Sequence, residues 1–166
     1  QLLRHKGIDF LNLGKSGSGP DIQYINSLQW IKNQYPTPKL VIYQWPQTFR
    51  KSFAYKKDDN VILKHHNINN EIEKKDTNWY LKRYCMETGE MEANNYLHYY
   101  SANMLWQQIN VPVLNWSWTG DFECDFEELH MVETVDTGRA RDLMHDGPDI
   151  HRQIADELSP IVDKLL

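Results

Sequence analysis

Asp142 and His145 stand three residues apart in the segment Arg141-Asp142-Leu143-Met144-His145-Asp146-Gly147-Pro148. Those residue types at that offset can do acid–base chemistry. A histidine works as a general base only when its tautomer and ring orientation are fixed. A carboxylate hydrogen-bonded to the far ring nitrogen fixes both, and it stabilises the imidazolium that forms. In a turn just ahead of a helix, a three-residue offset can bring both side chains to one side. The same pair also arises by chance, as a helix-start aspartate beside a surface histidine. Its weight therefore comes from its surroundings: Gly147-Pro148 and an amphipathic run to Leu166.

A second constellation is Asn12-Leu13-Gly14-Lys15-Ser16-Gly17-Ser18-Gly19. A glycine-rich turn at the carboxyl end of a parallel strand can aim backbone N–H groups at an anion. It can equally be a tight turn that needs left-handed glycines. No Gly-Lys-Ser/Thr follows, so a nucleoside triphosphate loop is a poor fit. A plain nucleotide-binding α/β domain lacks both of its glycine fingerprints here.

Other candidates carry less. His65-His66, His98 and His130 match no metal-site spacing, so no metal is expected, and His151 reads as a surface residue. Arg139 and Arg141 flank the Asp-x-x-His turn. They either hold an anionic substrate or pair with the acidic stretch 121–128. Trp116 and Trp118 alternate on a strand, as core residues or as a sugar-stacking platform. Asn115-Trp116-Ser117 fits a glycosylation sequon in a stretch that reads as a buried strand, which makes that use a poor one.

The elements that must position these groups follow from local patterns. Residues 7–13 form a short apolar run before the glycine turn and predict a strand. Asp21 suits a helix N-cap, with Ile22, Ile25, Leu28 and Ile31 near helical spacing and a stop before Pro36. Residues 39–43 are a continuous apolar run, which fits a strand buried on both faces. Residues 51–78 are polar and patternless. They predict a lid-like excursion with little core inside an insertion spanning 51–90. Trp79 to Cys85 reads as the beginning of a helix. A stronger one runs from Glu90 to Ile109, with Met91, Tyr96, Leu97, Tyr100, Met104, Leu105 and Ile109 as its expected buried stripe. Strands are expected over 111–118 and 129–135. The last helix is expected from Pro148 to Leu166, with Ile150, Ile154, Leu158, Ile161 and Leu165 at helical spacing. This order implies α/β layering in one domain over 1–166, with right-handed crossovers.

The chain has 166 residues, enough for one domain with a proper core. Its net charge of −5 argues against a nucleic-acid partner, because phosphate binding rests on clustered Lys and Arg. Two cysteines, Cys85 and Cys124, imply no disulfide framework and suit a reducing compartment. No apolar run approaches the roughly 20 residues of a membrane span, so no membrane partner is expected. Six Trp and nine Tyr are many for this length, which leaves room for an aromatic groove or interface.

Taken together, these motifs resemble those of the SGNH (GDSL-type) hydrolases. That family has an Asn-x-Gly-x-x-Gly block after its second strand, and Gly17 matches its oxyanion-hole glycine. Its last block is Asp-x-x-His, matched by Asp142 and His145. The wording Ala140-Arg141-Asp142-x-x-His145-x-Gly147-Pro148-x-x-His151 is similar to SGNH-type proteins of marine tailed phages. The resemblance spans most of the chain outside 51–90. It implies a three-layer, mostly parallel α/β fold of flavodoxin-like order. It also implies a serine esterase, acting on an ester such as an O-acetyl group of a polysaccharide. His145 would be the base, Asp142 its orienting partner and Gly17 an oxyanion donor. Trp45 and Arg141 would contact substrate, and no cofactor is needed. The family's Gly-Asp-Ser block has no match here; the nucleophilic serine and its strand are expected upstream of Gln1. The block that should supply a second oxyanion donor reads Gln44-Trp45-Pro46-Gln47, where Gln47 or Gln44 would have to substitute. The alternative is a non-catalytic phage virion or host-surface glycan-binding domain that keeps the fold, with other virion proteins as partners. Its location would be the virion, and otherwise the cytoplasm.

Overall fold

The computed structural model describes residues 2–14, 19–46, 50–57, 60–67, 89–117, 129–132 and 147–166. In chain order the elements are α1 (Leu2–His5), α2 (Pro20–Lys32), β1 (Val41–Gln44), β2 (Arg50–Lys57), β3 (Asn60–Asn67), α3 (Glu90–Gln107), β4 (Val113–Ser117), β5 (Leu129–Met131) and α4 (Pro148–Leu165). The fold is mixed α/β.

The centre is a parallel sheet in the order β1-β4-β5. Val41 pairs with Val113 and Gln44 with Trp116, and Asn115 pairs with Leu129. Helices cover both faces of this sheet, which is why its strands read as continuous apolar runs. Successive strand residues point to opposite faces. Accordingly Tyr43, Trp45 and Val113 join one cluster with Tyr99, Ala102 and Trp106 of α3 and with Tyr24, Trp30 and Ile31 of α2. Ile42 and Trp116 join another with Ile150, Ile154 and Leu158 of α4.

Chain chemistry sets the helix ends. α2 starts with Gly19 as N-cap and Pro20 in its first turn; Asp21, expected as the cap, is the second residue of the helix. Proline suits that place because its missing N–H would have no helical partner anyway. α4 begins the same way, at Gly147-Pro148. The helices that feed β1 and β4 also end alike. Gln34 and Asn110 take left-handed φ of 55° and 56°. The next amides then bond back across the last turn, Tyr35 N to Trp30 O at 3.2 Å and Val111 N to Trp106 O at 3.0 Å. This closure satisfies carbonyls that the helix end would otherwise leave open.

Four expectations need correction. Residues 7–13 are not a strand. After α1, Gly7 turns the chain at φ 65°, and the segment that follows makes no ladder with any described strand. Phe10, Leu11 and Leu13 are 46%, 66% and 47% exposed. Within the stretch 51–78 expected to be patternless, β2 and β3 pair as an antiparallel hairpin, with Arg50 opposite Asn67 and Lys57 opposite Asn60. Both sets of alternate ladder positions carry apolar residues, Phe53, Tyr55 and Ile62 in one and Ala54, Val61 and Leu63 in the other. Period-two alternation is therefore blurred, and with it the sequence signal. β5 stops at Met131, short of the expected 135.

The fourth correction is to α3. Of its expected buried stripe only Met91 is buried; Tyr96, Leu97, Tyr100, Met104 and Ile109 are all more than 40% exposed. The inward face is Met91, Asn95, Tyr99, Ala102, Asn103 and Trp106. The proposed helix from Trp79 to Cys85 lies outside the described residues.

Candidate functional site at the carboxyl edge of the sheet

In a parallel sheet all strands end on one side, and in open α/β folds that side is where ligands bind. Here it is marked by Gln44, Ser117 and Met131. The ladder carries one step further, through Trp45 N to Trp116 O at 2.8 Å and Val132 N to Ser117 O at 2.9 Å. The first turn of α2 reaches the same edge. Gln23 Nε2 donates to the carbonyl of Gln44 at 2.5 Å. Its Oε1 is buried and accepts no hydrogen bond among the described residues, leaving an acceptor at this edge. Gln44, one of the two glutamines weighed as an oxyanion donor, is exposed here at the end of β1.

The approach to α2 is held locally. Asn12 Oδ1 accepts the amide of Gly14 at 2.8 Å, and Asn26 Nδ2 donates to Leu13 O at 3.3 Å. The asparagine of the Asn-x-Gly block thus folds its own turn.

Behind the edge lies a buried polar network. Trp45, expected to contact substrate, is 0% exposed. Its indole N–H donates to Asn115 Oδ1 at 2.9 Å. Asn115 Nδ2 donates to Asn103 Oδ1 at 2.7 Å, and Asn103 Nδ2 donates to Tyr99 O at 2.8 Å. Ser117 Oγ donates to Trp45 O at 3.1 Å. Trp45 is therefore a core residue that ties β1 to β4 and α3, not a surface on which a substrate could stack. Beside it, Trp106 Nε1 donates to Tyr43 Oη at 2.7 Å, and that hydroxyl also shares a hydrogen bond with Ser27 Oγ. Burial pushes the Tyr43 phenol above its ordinary range, against the opposing pull of its hydrogen bonds to Ser27 and Trp106.

Gly17, Gln47, Arg141, Asp142 and His145 all lie outside the described residues, as do Arg139 and Trp118. The described flanks of their segments are Gly14 and Gly19, Pro46, Val132, and Gly147, the buried N-cap of α4. Trp116 packs in the core beside α4, so it too is no sugar platform. His130 and His151 are exposed, and His98 is half-buried with its ring 6.0 Å from Tyr24.

Sequence reasoning missed two features. One is the Asn103–Asn115 pair; neither residue had any pattern to announce it. The other is a groove of about 400 Å³ along α2, lined by Leu11, Leu13, Asn26, Gln29, Trp30, Asn33 and Tyr35. Trp30 and Tyr35 form its aromatic corner, ring centroids 4.9 Å apart. It runs along the second half of α2, away from the Gln23–Gln44 contact.

No protein-family model, curated protein or solved structure matches the chain. No helix among the described residues is long and apolar enough to cross a membrane.

Proposed function

We propose that this chain is the greater part of an SGNH-type serine hydrolase domain that cleaves an ester, with O-acetyl groups on a polysaccharide as the substrate class. The observation that carries the reading is the position of Asp142-x-x-His145. It stands just ahead of Gly147, the N-cap of a helix packed on one face of a parallel sheet. In open α/β folds the carboxyl edge of the strands is where such chemistry is done. Helices on both faces and an edge built from Gln23, Gln44 and Ser117 suit a three-layer, flavodoxin-like order.

In this reading His145 takes the proton of the serine hydroxyl as its oxygen attacks the ester carbonyl. Asp142 holds the imidazole in the tautomer that can accept that proton. Gly17 N–H and the amide of Gln47 or Gln44 stabilise the oxyanion; a missing donor costs about 10²–10³ in rate. His145 then gives the proton to the departing alcohol, and water releases the acyl group by the same steps. No serine in this chain matches the family's nucleophile block, so no residue of this chain is assigned that role. Arg141 is kept as a substrate contact; Trp45 is not.

The non-catalytic glycan-binding reading drew support from the aromatic surplus. Trp45, Trp106 and Trp116 are buried in the two cores, which accounts for half of the tryptophans structurally. The test uses the full-length protein with p-nitrophenyl acetate. His145→Ala should remove most turnover. Asp142→Asn should be severe as well, since the equivalent change in a serine-protease triad costs about 10⁴-fold. Unchanged rates in either variant refute the assignment. A wild type that turns over no ester and resists a serine-directed fluorophosphonate moves the binding domain ahead.

A further inference from the structure

We infer that the groove along the second half of α2 is a binding site for a neutral oligosaccharide, separate from the carboxyl edge of the sheet. The first observation is how the groove is built. Asn26, Gln29, Trp30 and Asn33 line it at intervals of three, one and three, which sets them on one face of the helix and its C-cap. Leu11 and Leu13 line it from the segment ahead of α2, and Tyr35 lines it from just beyond the helix end. Its volume of about 400 Å³ falls within the range of about 300–1,000 Å³ that ligand sites commonly span.

The second observation is that the walls are held in place by the chain itself. Asn26 Nδ2 donates to Leu13 O at 3.3 Å and ties the segment to the helix. Trp30 Nε1 donates to Pro36 O at 3.0 Å, which sets the plane of the indole. The backbone amide of Tyr35 donates to Trp30 O at 3.2 Å. The rings of Trp30 and Tyr35 are tilted by 55°, so they form a corner rather than a stack. A groove held in this way has little freedom to lose when a ligand enters.

The third observation is the chemistry of the lining, which selects the ligand. No Lys, Arg, Asp or Glu stands among the residues that line it. A charged ligand would leave water for a site without a counter-charge. The polar groups are instead three carboxamides. The side chains of Gln29 and Asn33 make no hydrogen bond among the described residues, and Asn26 Oδ1 accepts none. A carboxamide carries two N–H donors and an acceptor, and a hydroxyl both donates and accepts, so sugar hydroxyls can meet every one of them. A purely apolar occupant would bury those groups without partners, at a cost for each. The apolar part of the lining suits the C–H faces of a sugar ring: Tyr35 is 52% exposed and Leu11 66%. From Asn26 to Asn33 the carboxamides spread over about 10 Å at 1.5 Å per residue. Hydroxyls along a short chain of sugars match that spread, whereas the polar atoms of a lone nucleobase lie along one short edge.

Binding here needs no ester turnover, so it stands or falls apart from the hydrolase reading. The full-length, isotopically labelled protein is titrated by NMR with cellotriose, mannotriose and triacetylchitotriose, each to tens of millimolar. At least one should bind saturably and shift the Trp30 indole N–H and the side-chain amides of Gln29 and Asn33. Tyr35→Ala should weaken that binding about tenfold through loss of one aromatic contact, while Tyr35→Phe keeps most of it. Gln29→Ala, an exposed change, should weaken it about two- to tenfold and leave the circular dichroism spectrum unchanged. Should Tyr35→Ala fail to fold, Gln29→Ala decides alone. No shift with any of the three sugars overturns the inference. So does a sugar that binds while these resonances stay put, a folded Tyr35→Ala variant that binds as tightly as wild type, or adenosine binding more tightly than all three sugars.

Discussion

The two helices α3 and α4 are equal in length, cover opposite faces of one sheet, and read very differently. α4 carries its aliphatic residues inward: Ile150, Ile154, Leu158 and Val162 are all at or below 9% exposure. Charged residues such as Asp149, Arg152, Asp156 and Asp163 take the solvent side. α3 buries Asn95 and Asn103 and exposes Leu97 and Met104. On the α4 side the sheet offers Ile42 and Trp116, so apolar packing alone is enough. On the α3 side it offers the indole N–H of Trp45 and the amide of Asn115. Those groups cannot be buried without partners. Asn103 supplies one, and the helix turns so that it can. A polar demand on the sheet thus outweighs the helix's own apolar stripe, because an unsatisfied buried group costs as much as a buried aliphatic side chain contributes.

The sharpest way to break this comparison is a matched truncation. Leu158→Ala, in the α4 core, should lower unfolding free energy by about 2–5 kcal/mol through lost burial and the cavity left behind. Leu97→Ala, on the outer face of α3, should change it by no more than about 0.5 kcal/mol in dilute solution. Urea unfolding followed by far-ultraviolet circular dichroism at low protein concentration reads both. Similar losses would mean that the outer face of α3 is packed within the chain and that the two helices do not differ as described.

The same contrast explains what could be read without coordinates. α4, β1 and β4 were legible because each has one apolar partner surface, so period alone encodes it. The facing of α3 was not, since nothing local in the sequence states that Trp45 and Asn115 need an amide. The hairpin of β2 and β3 was hidden by apolar residues on both sets of alternate positions. Residues 7–13 looked like a strand by composition, but a strand needs a neighbour, and no described strand lies beside them. Around the candidate site, the strands at 41–44 and 113–117 and the helix start at Gly147-Pro148 were legible. Trp45 was misread because an aromatic in a site-like motif and an aromatic in a core look alike until burial is known. Gly17, Gln47, Arg141, Asp142 and His145 rest on motif spacing alone.

A second test sharpens the account of why α3 turns as it does. Asn115→Leu keeps approximate volume but removes the acceptor for Trp45 and both bonds to Asn103. Each orphaned group costs about 1–3 kcal/mol. Asn103→Leu combined with Asn115→Leu should recover part of that loss, since the apolar pair leaves neither amide without the other. A double-mutant cycle by chemical denaturation measures the coupling. Full additivity would show that the two amides do not act as a unit.

The smallest effect is the most selective for the α3 side of the sheet. Tyr43 is 6% exposed, and burial raises its phenol above the ordinary value while Ser27 and Trp106 pull it down less. A raised pKa means the folded state keeps its proton at a pH where the unfolded chain has begun to lose it. The unfolded phenol titrates near pH 10. Stability from this group is therefore fully present below about pH 10 and declines as pH climbs from there toward the folded pKa. Tyr43→Phe should cost about 1 kcal/mol near neutral pH, because Trp106 N–H loses its shorter bond but keeps Ser27 Oγ at 3.2 Å. It should also flatten the alkaline limb, so that wild type and variant converge as pH rises above about 10. The α4 side has no such group in its cluster, so Leu158→Ala should shift the whole pH profile down without changing its shape. Parallel alkaline limbs for wild type and Tyr43→Phe would show that the phenol titrates no differently in the fold than in the open chain.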